Sequence, residues 1–154
     1  MRKKNMKGLL VGGVISITVL LLCCASCCKY ESNLNAIKIR YFPPGTEFME
    51  GIDDPAGMYG YDSVREKVIR KKKFLYELEL RLDELTPCSN QAELSIDMRM
   101  FCLIEDKNGV LHELCLGEYF GIKYDEIYME DNAELLQLIK SVSMDTYPLE
   151  LIDE

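Results

Sequence analysis

Seven cysteines and a single histidine are among the side chains of this 154-residue sequence that could carry covalent or metal chemistry. Four of the cysteines lie within residues 23–28, directly after an uncharged run. The other three, Cys88, Cys102 and Cys115, are scattered, and an odd, sparse set is not the framework of a disulfide-stapled domain. We therefore expect modification chemistry in the N-terminal cluster and no disulfide among the three later cysteines.

No group of residues in the sequence predicts catalysis or a metal site. His112 is the only histidine, and Cys115 lies three positions away, so on a strand the two side chains would point to opposite faces. One histidine and three scattered cysteines do not have the spacing of zinc ligands. The turn at 106–109 has its glycine in the fourth position, whereas a calcium loop needs it in the sixth. We predict no catalytic residue, no metal and no cofactor. An enzyme would need carboxylates that only the fold brings together.

The first 28 residues have the layout of an export signal. Four cations open the sequence: Arg2, Lys3, Lys4 and Lys7. The uncharged residues 8–22 follow, and then the small-residue segment 23–28. A basic head, an apolar middle and a small-residue exit are typical of a signal peptide, and the cations keep the head in the cytoplasm.

Residues 24–27, Cys-Ala-Ser-Cys, resemble the lipobox of bacterial lipoproteins, which has small residues at the two positions before a cysteine. Cys24 stands where that family prefers leucine. The resemblance implies cleavage after Ser26 and lipidation of Cys27. We therefore expect a signal peptide at 1–26, a lipidated tether at 27–35, and export to a bacterial membrane that holds the protein by its lipid.

Other outcomes are compatible with the same stretch. Residues 8–28 carry no charge, and a bilayer core needs about 20 residues, so an uncleaved segment would form a single-pass anchor. Ordinary cleavage after Ser26 would instead release a soluble secreted protein. Lipidation of Cys28 rather than Cys27 is a further alternative.

The charge of the sequence limits its partners. The chain has 18 basic and 26 acidic residues. Four of the basic residues and none of the acidic ones precede residue 27, so residues 27–154 have 14 basic and 26 acidic residues, a net charge of −12. This balance argues against nucleic acid and against electrostatic docking on an anionic membrane, and it is compatible with a basic protein partner. The run at 70–73 (Arg-Lys-Lys-Lys) is expected to be a solvated face, with a phosphate or lipid-headgroup patch as the alternative.

Hydrophobic periodicity predicts one domain at residues 36–143 and an acidic tail at 144–154. The predicted elements are strands at 37–42 and 66–71, a helix at 73–85, hairpins at 94–117 and 119–129, and a final helix from 131. The segment at 73–85 also alternates like a strand, but its strong helix formers and its lack of Val, Ile and Thr favour a helix. Asp131 and Glu134 have the spacing of a capping box for the last helix. The order predicts an α+β fold, a mostly antiparallel sheet of about five or six strands with two helices packed on one face.

The register of the first hairpin determines whether Cys102 and Cys115 can form a disulfide. A two-residue turn at Asn108 and Gly109 would place Cys102 opposite Cys115 and invite a disulfide. A type I turn from Asp106 with a left-handed Gly109 shifts the pairing by one residue. In that register Cys102 lies opposite Leu114, Met100 opposite Leu116 and Ile104 opposite His112. The second register gathers the apolar residues on one face, so we predict it, with Cys102 and Cys115 unpaired on opposite faces.

The irregular stretch at 46–62 is the predicted binding segment. It combines glycines and a proline with several apolar residues, and a long loop of this kind is sometimes functional. Tyr59 and Tyr61 are the candidate contact residues, because aromatic side chains anchor interfaces well. The alternative is that its apolar side chains fold back over the core.

These features predict a small binding or interaction module held outside the membrane by a lipid. A more specific alternative is an inhibitor or immunity-type protein that protects the cell envelope against a basic enzyme or toxin. The pattern of elements is loosely similar to small uncharacterised bacterial lipoprotein domains, and this similarity implies no activity.

Overall fold

The computed structural model describes residues 30–48 and 51–143. The chain divides after Glu31, and the folded unit begins at Ser32. The predicted signal peptide, the lipidation site Cys27 and the acidic tail lie outside the described residues, as does the segment of the single-pass alternative. Among the described residues, no helix has both the length and the hydropathy required to cross a bilayer.

Within the described residues, six antiparallel strands form one sheet, and two helices of more than two turns accompany it. The strands are β1 (Leu34–Tyr41), β2 (Arg65–Ile69), β3 (Met98–Asp106), β4 (Leu111–Gly117), β5 (Ile122–Tyr124) and β6 (Ile127–Met129). The helices are α1 (Lys72–Asp83) and α2 (Ala133–Ser143), with short 3-10 helices at Pro55–Gly60 and Gln91–Glu93. The strand order is β2-β1-β3-β4-β5-β6. The predicted α+β fold is confirmed. Strand β1 begins at Leu34, inside the predicted tether.

Both helices pack on the same face of the sheet. Their apolar residues recur at the three- and four-residue spacing that puts them on one side of a helix. The main core includes Ile37, Ile39, Cys102, Ile104, Leu114 and Leu116 from the sheet and Phe74, Leu75, Leu78, Leu135, Ile139 and Val142 from the helices. An ion pair between Arg81 and Glu134, at 2.7 Å, joins the exposed sides of α1 and α2.

The β3–β4 hairpin has the predicted register. Cys102 pairs with Leu114, Met100 with Leu116 and Ile104 with His112. Gly109 adopts a φ of 80°, in the left-handed region that a bulged type I turn requires. Cys102 therefore lies in the core under the helices and Cys115 lies on the other face, and both are free thiols.

Irregular segments and a short 3-10 helix, rather than α-helices, cover the second face of the sheet. The second core consists of Phe42, Ile52, Met58, Ile96, Met98, Phe101 and Cys115. Ile52 and Met58 come from the stretch that was predicted to bind a partner, so part of that stretch does fold back over the core. Asp54 caps the 3-10 helix by accepting a hydrogen bond from the backbone N–H of Ala56 at 2.8 Å.

The predicted cap of the last helix is wrong by one residue. Asn132, not Asp131, accepts the hydrogen bond from the N–H of Leu135, at 2.9 Å. The carboxylate of Asp131 instead accepts from the N–H of Gly121, at 2.7 Å. Both residue types are good caps, so the choice between them depends on the tertiary contact that holds Asp131.

Candidate functional site

The two ends of the sheet carry different residues. At one end, Leu34 starts β1 beside Asp106, the last residue of β3. At the other end lie Tyr41, the first residues of β3, and Gly117 at the end of β4. We call this second end the aromatic end, defined by Phe48, Tyr61, Arg99, Tyr119 and Phe120.

A tight turn at the aromatic end exposes two neighbouring aromatic side chains. Tyr119 is 74% exposed and Phe120 is 73% exposed. The N–H of Gly117 donates to the carbonyl of Gly121 at 3.0 Å and closes the turn. A Cβ on Gly117 would lie 2.0 Å from the carbonyl oxygen of Phe120, and Gly121 has a φ of 88°, so each position favours glycine. The hydrogen bond from Gly121 to Asp131 ties the turn to the start of α2.

The two tyrosines predicted as a binding pair have different surroundings. Tyr59 is 68% exposed, and the guanidinium of Arg40 lies 4.3 Å from the centre of its ring. Tyr61 is 44% exposed and makes edge-to-face contacts with Phe42 and Phe48, with ring centres 5.5 and 5.3 Å apart. Tyr61 therefore contributes both to the surface and to the packing beneath it.

Arg99 connects the two groups of aromatic residues. Its guanidinium lies 4.3 Å from the ring centre of Phe48, donates to Asp97 at 2.7 Å and donates to the carbonyl of Thr46 at 2.9 Å. The same side chain lines a groove of about 250 Å³ together with Glu118, Tyr119 and Phe120. The aromatic end is thus one surface, in which a fixed cation separates Phe48 and Tyr61 from the exposed turn.

A second, smaller groove adjoins the first. It is lined by Pro43, Pro44, Thr46, Arg99, Glu118 and Lys140. The ammonium of Lys140 lies 4.9 Å from the ring centre of Tyr119, so α2 supports the exposed turn from one side. Arg99 and Glu118 line both grooves, which places one positive and one negative group between them.

His112 has a structural partner. Its Nδ1 lies 2.7 Å from a carboxylate oxygen of Asp125, and its ring stacks on Tyr124 with ring centres 5.9 Å apart. The other oxygen of Asp125 accepts from the N–H of Glu113 at 2.8 Å. Asp125 has a φ of 45°, so this pair holds a left-handed turn between β5 and β6. Burial, and then the neighbouring Asp125, raise the pKa of Tyr124 to about 12.

Cys102 and Cys115 do not form an activated nucleophile. Burial raises the pKa of the Cys102 thiol far above its ordinary range, and it raises the pKa of Cys115 to about 11. Since the thiolate is the reactive form, both groups are inert at neutral pH. Cys115 lies on the face of the sheet opposite to His112, as its strand position predicted. Within residues 30–48 and 51–143, no three metal-binding side chains come together.

The exposed turn was missed in the sequence. Its signal is the five-residue segment Gly117-Glu118-Tyr119-Phe120-Gly121, in which glycines enclose two aromatic residues. That pattern also suits the first strand of a hairpin, which is how residues 119–129 were interpreted. In the structure β5 begins only at Ile122, and the aromatic pair precedes it.

Comparison with known proteins gives no relative. No family model matches the chain, no curated protein sequence is significantly similar to it, and no solved structure matches it. A functional assignment therefore rests on the residues of this chain. Lipidation of Cys27, outside the described residues, stays a prediction.

Proposed function

We propose that this protein is an exported lipoprotein, anchored through Cys27, whose aromatic end binds a protein partner. The single observation that carries the binding role is the exposed pair Tyr119 and Phe120 on a turn enclosed by glycines. The N-terminal sequence supports the anchor, since a basic head, an apolar run and a lipobox-like segment precede Cys27.

The geometry of the turn suits recognition. Large aromatic side chains supply much of the binding energy in interfaces, and they have few rotatable bonds to immobilise. The hydrogen bonds of Gly117 and Gly121 fix the backbone that displays them. A surface that is already ordered loses little conformational entropy on binding, which favours affinity.

The charge of the chain points to the chemistry of the partner. Residues 27–154 carry a net charge of −12, and Glu118 lies between the two grooves of the aromatic end. Opposite charge on a partner would speed its encounter with this surface. A cationic enzyme or toxin that the protein inhibits at the envelope is the more specific form of this proposal, and binding that weakens steeply with added salt would favour it.

Site-specific photo-crosslinking in the producing cells tests the proposal. A photoreactive phenylalanine analogue at Phe120 replaces one aromatic ring by another, so the turn should persist. The control is the same analogue at Leu80, which is exposed on α1. We expect a covalent protein adduct from position 120 only, and Tyr119→Ala should reduce its yield. No protein adduct from Phe120, or equal adducts from both positions, would contradict the binding role.

The anchor is tested separately by mass spectrometry of the mature N-terminus. A chain that starts at Cys27 and carries acyl groups is the expected result. A chain that starts at Met1 without acyl groups would refute the lipoprotein assignment and leave the binding role of the aromatic end to be judged by the crosslinks.

A further inference from the structure

Positive charge is concentrated at the end of the sheet opposite the aromatic end. Residues 70–73 directly follow β2 and include the first two residues of α1, and all four are cations. Arg70 and Lys72 are exposed. We call these four residues, Arg70, Lys71, Lys72 and Lys73, the basic end. They stand out because the other ten basic residues of 27–154 are outnumbered by the 26 acidic residues of that segment.

The chain enters the folded unit at this same end. Ser32 donates from its hydroxyl to the carbonyl of Leu75 on α1, at 3.3 Å. Asn33 donates from its backbone N–H and its side-chain amide to the carboxylate of Glu79, both at 2.9 Å. The carbonyl of Asn33 accepts from the N–H of Lys107 at 2.7 Å. These contacts fix the start of β1 beside the first turns of α1.

The nearest carboxylates on α1 already have partners. Glu77 pairs with Lys73 at 3.7 Å, and Glu79 is occupied by Asn33. Burial alone would raise the pKa of Glu79, but the hydrogen bonds from Asn33, with Ser32 nearby, lower it below the ordinary value, so the carboxylate stays ionised and holds the chain. Arg70 and Lys72, exposed between β2 and α1, are left to interact outside the domain.

We propose that the basic end rests on anionic lipid headgroups beside the lipid anchor and thereby turns the aromatic end away from the membrane. This inference rests on the proposed anchoring at Cys27. Asn33 follows Cys27 by six positions, and an extended chain spans at most about 3.6 Å per residue, so the start of the folded unit stays within roughly 22 Å of the lipid. A tether of this length holds the cations at a high local concentration near the surface, and weak attraction then suffices to orient the domain.

The net charge of the protein supports this orientation. A free protein with a net charge of −12 spread evenly over its surface would not dock electrostatically on an anionic membrane. In the folded unit four cations lie where the tether begins, whereas the rest of residues 27–154 has ten basic and 26 acidic residues. An anionic bilayer attracts the first and repels the second within a Debye length, about 8 Å at physiological salt.

Amine footprinting on the full acylated chain in vesicles tests the inference. One vesicle preparation is pure phosphatidylcholine, and the other contains phosphatidylglycerol at about one third of the lipid. Each basic residue near an anionic surface gains a factor of about five in favour of the bound orientation. We expect acetylation of Lys72 to fall about fivefold in the anionic vesicles and to recover in about 0.5 M NaCl, where charges are screened. Acetylation of Lys140, at the aromatic end, should not change.

A matched pair of charge reversals adds a second readout. Arg70→Glu should restore the acetylation of Lys72 in anionic vesicles. Arg65→Glu makes the same change in charge at the far end of β2, roughly 16 Å away at about 3.3 Å per residue, and should leave Lys72 protected. Circular dichroism of both variants establishes that they are folded. The salt dependence of Lys72 acetylation is measured on the unaltered chain, so that readout does not depend on the folding of a variant.

Flotation of the same vesicles separates the two proposals. A chain that floats with both lipids and shows equal acetylation of Lys72 in both would overturn the orientation and leave the anchor intact. A chain that fails to float with phosphatidylcholine would overturn the anchor and the orientation together. Protection of Lys72 only in anionic vesicles supports both.

Discussion

Replacing Gly117 by alanine is the sharpest test of the turn that displays Tyr119 and Phe120. The added Cβ would lie 2.0 Å from the carbonyl oxygen of Phe120, whereas such contacts are not closer than 3.0 Å. The turn must therefore move by about 1 Å, and the 3.0 Å hydrogen bond from Gly117 to Gly121 is lost. Overpacking costs about 1–3 kcal/mol and a lost hydrogen bond about 1 kcal/mol, so we expect a loss of about 2–4 kcal/mol.

Thermal unfolding of the full chain in a mild detergent, followed by circular dichroism, measures this loss. For a domain of this size about 1 kcal/mol corresponds to about 4 °C, so the Tm should fall by roughly 8–16 °C. The control is Gly60→Ala, because no atom lies within 4 Å of the added Cβ at that position. If Gly117→Ala melts within 2 °C of the control, the close approach of Gly117 and Phe120 that defines the turn is refuted.

Three further substitutions test the core, the cap of α2, and the contact between Asn33 and Glu79. Leu114→Ala removes a fully buried side chain and should cost about 2–5 kcal/mol in urea unfolding, whereas Leu111→Ala on the exposed side of the same strand should cost under about 0.5 kcal/mol. Asn132→Ala should cost about 1 kcal/mol through loss of the α2 cap, and a loss of under about 0.3 kcal/mol would contradict that assignment. Because the folded pKa of Glu79 is lowered from 4.5, its contribution is present above that pH and is lost as the pH falls through the folded value. Glu79→Gln should therefore be less stable at pH 7 and lose less stability on acidification, and parallel pH profiles of the urea midpoint would refute this.

The parts of the fold that follow from local patterns could be predicted. The helix at Lys72–Asp83 followed from its composition, even though its apolar residues also alternate. The register of the β3–β4 hairpin followed from the requirement that apolar residues share one face, and it placed Cys102 and Cys115 correctly. In both cases the deciding information lies within one element or one pair of adjacent strands.

The surface could be predicted only in part, because distant contacts determine it. Tyr61 lies in the predicted binding segment, but its ring packs on Phe42 and Phe48, which nothing in residues 59–61 indicates. Asp131 has the sequence signature of a cap and instead ties down the turn at Gly121, which precedes it by ten positions. Arg99 alternates with apolar residues like any outward strand position, and its contact with Phe48 exists only in the folded sheet.

The antiparallel sheet itself separates the two proposed surfaces. Strand β1 starts beside the basic end and finishes at Tyr41, next to the aromatic end, and β3 pairs with it along the whole distance. Eight residues at about 3.3 Å each make β1 roughly 25 Å long. Inserting Phe120 into the bilayer would require the domain to turn over on its tether and bring Glu118 and the acidic surface against anionic headgroups, which repel them. If Cys27 anchors the chain as proposed, a sheet with cations where its tether begins and exposed aromatic residues at its far end favours a partner that approaches from the side away from the membrane.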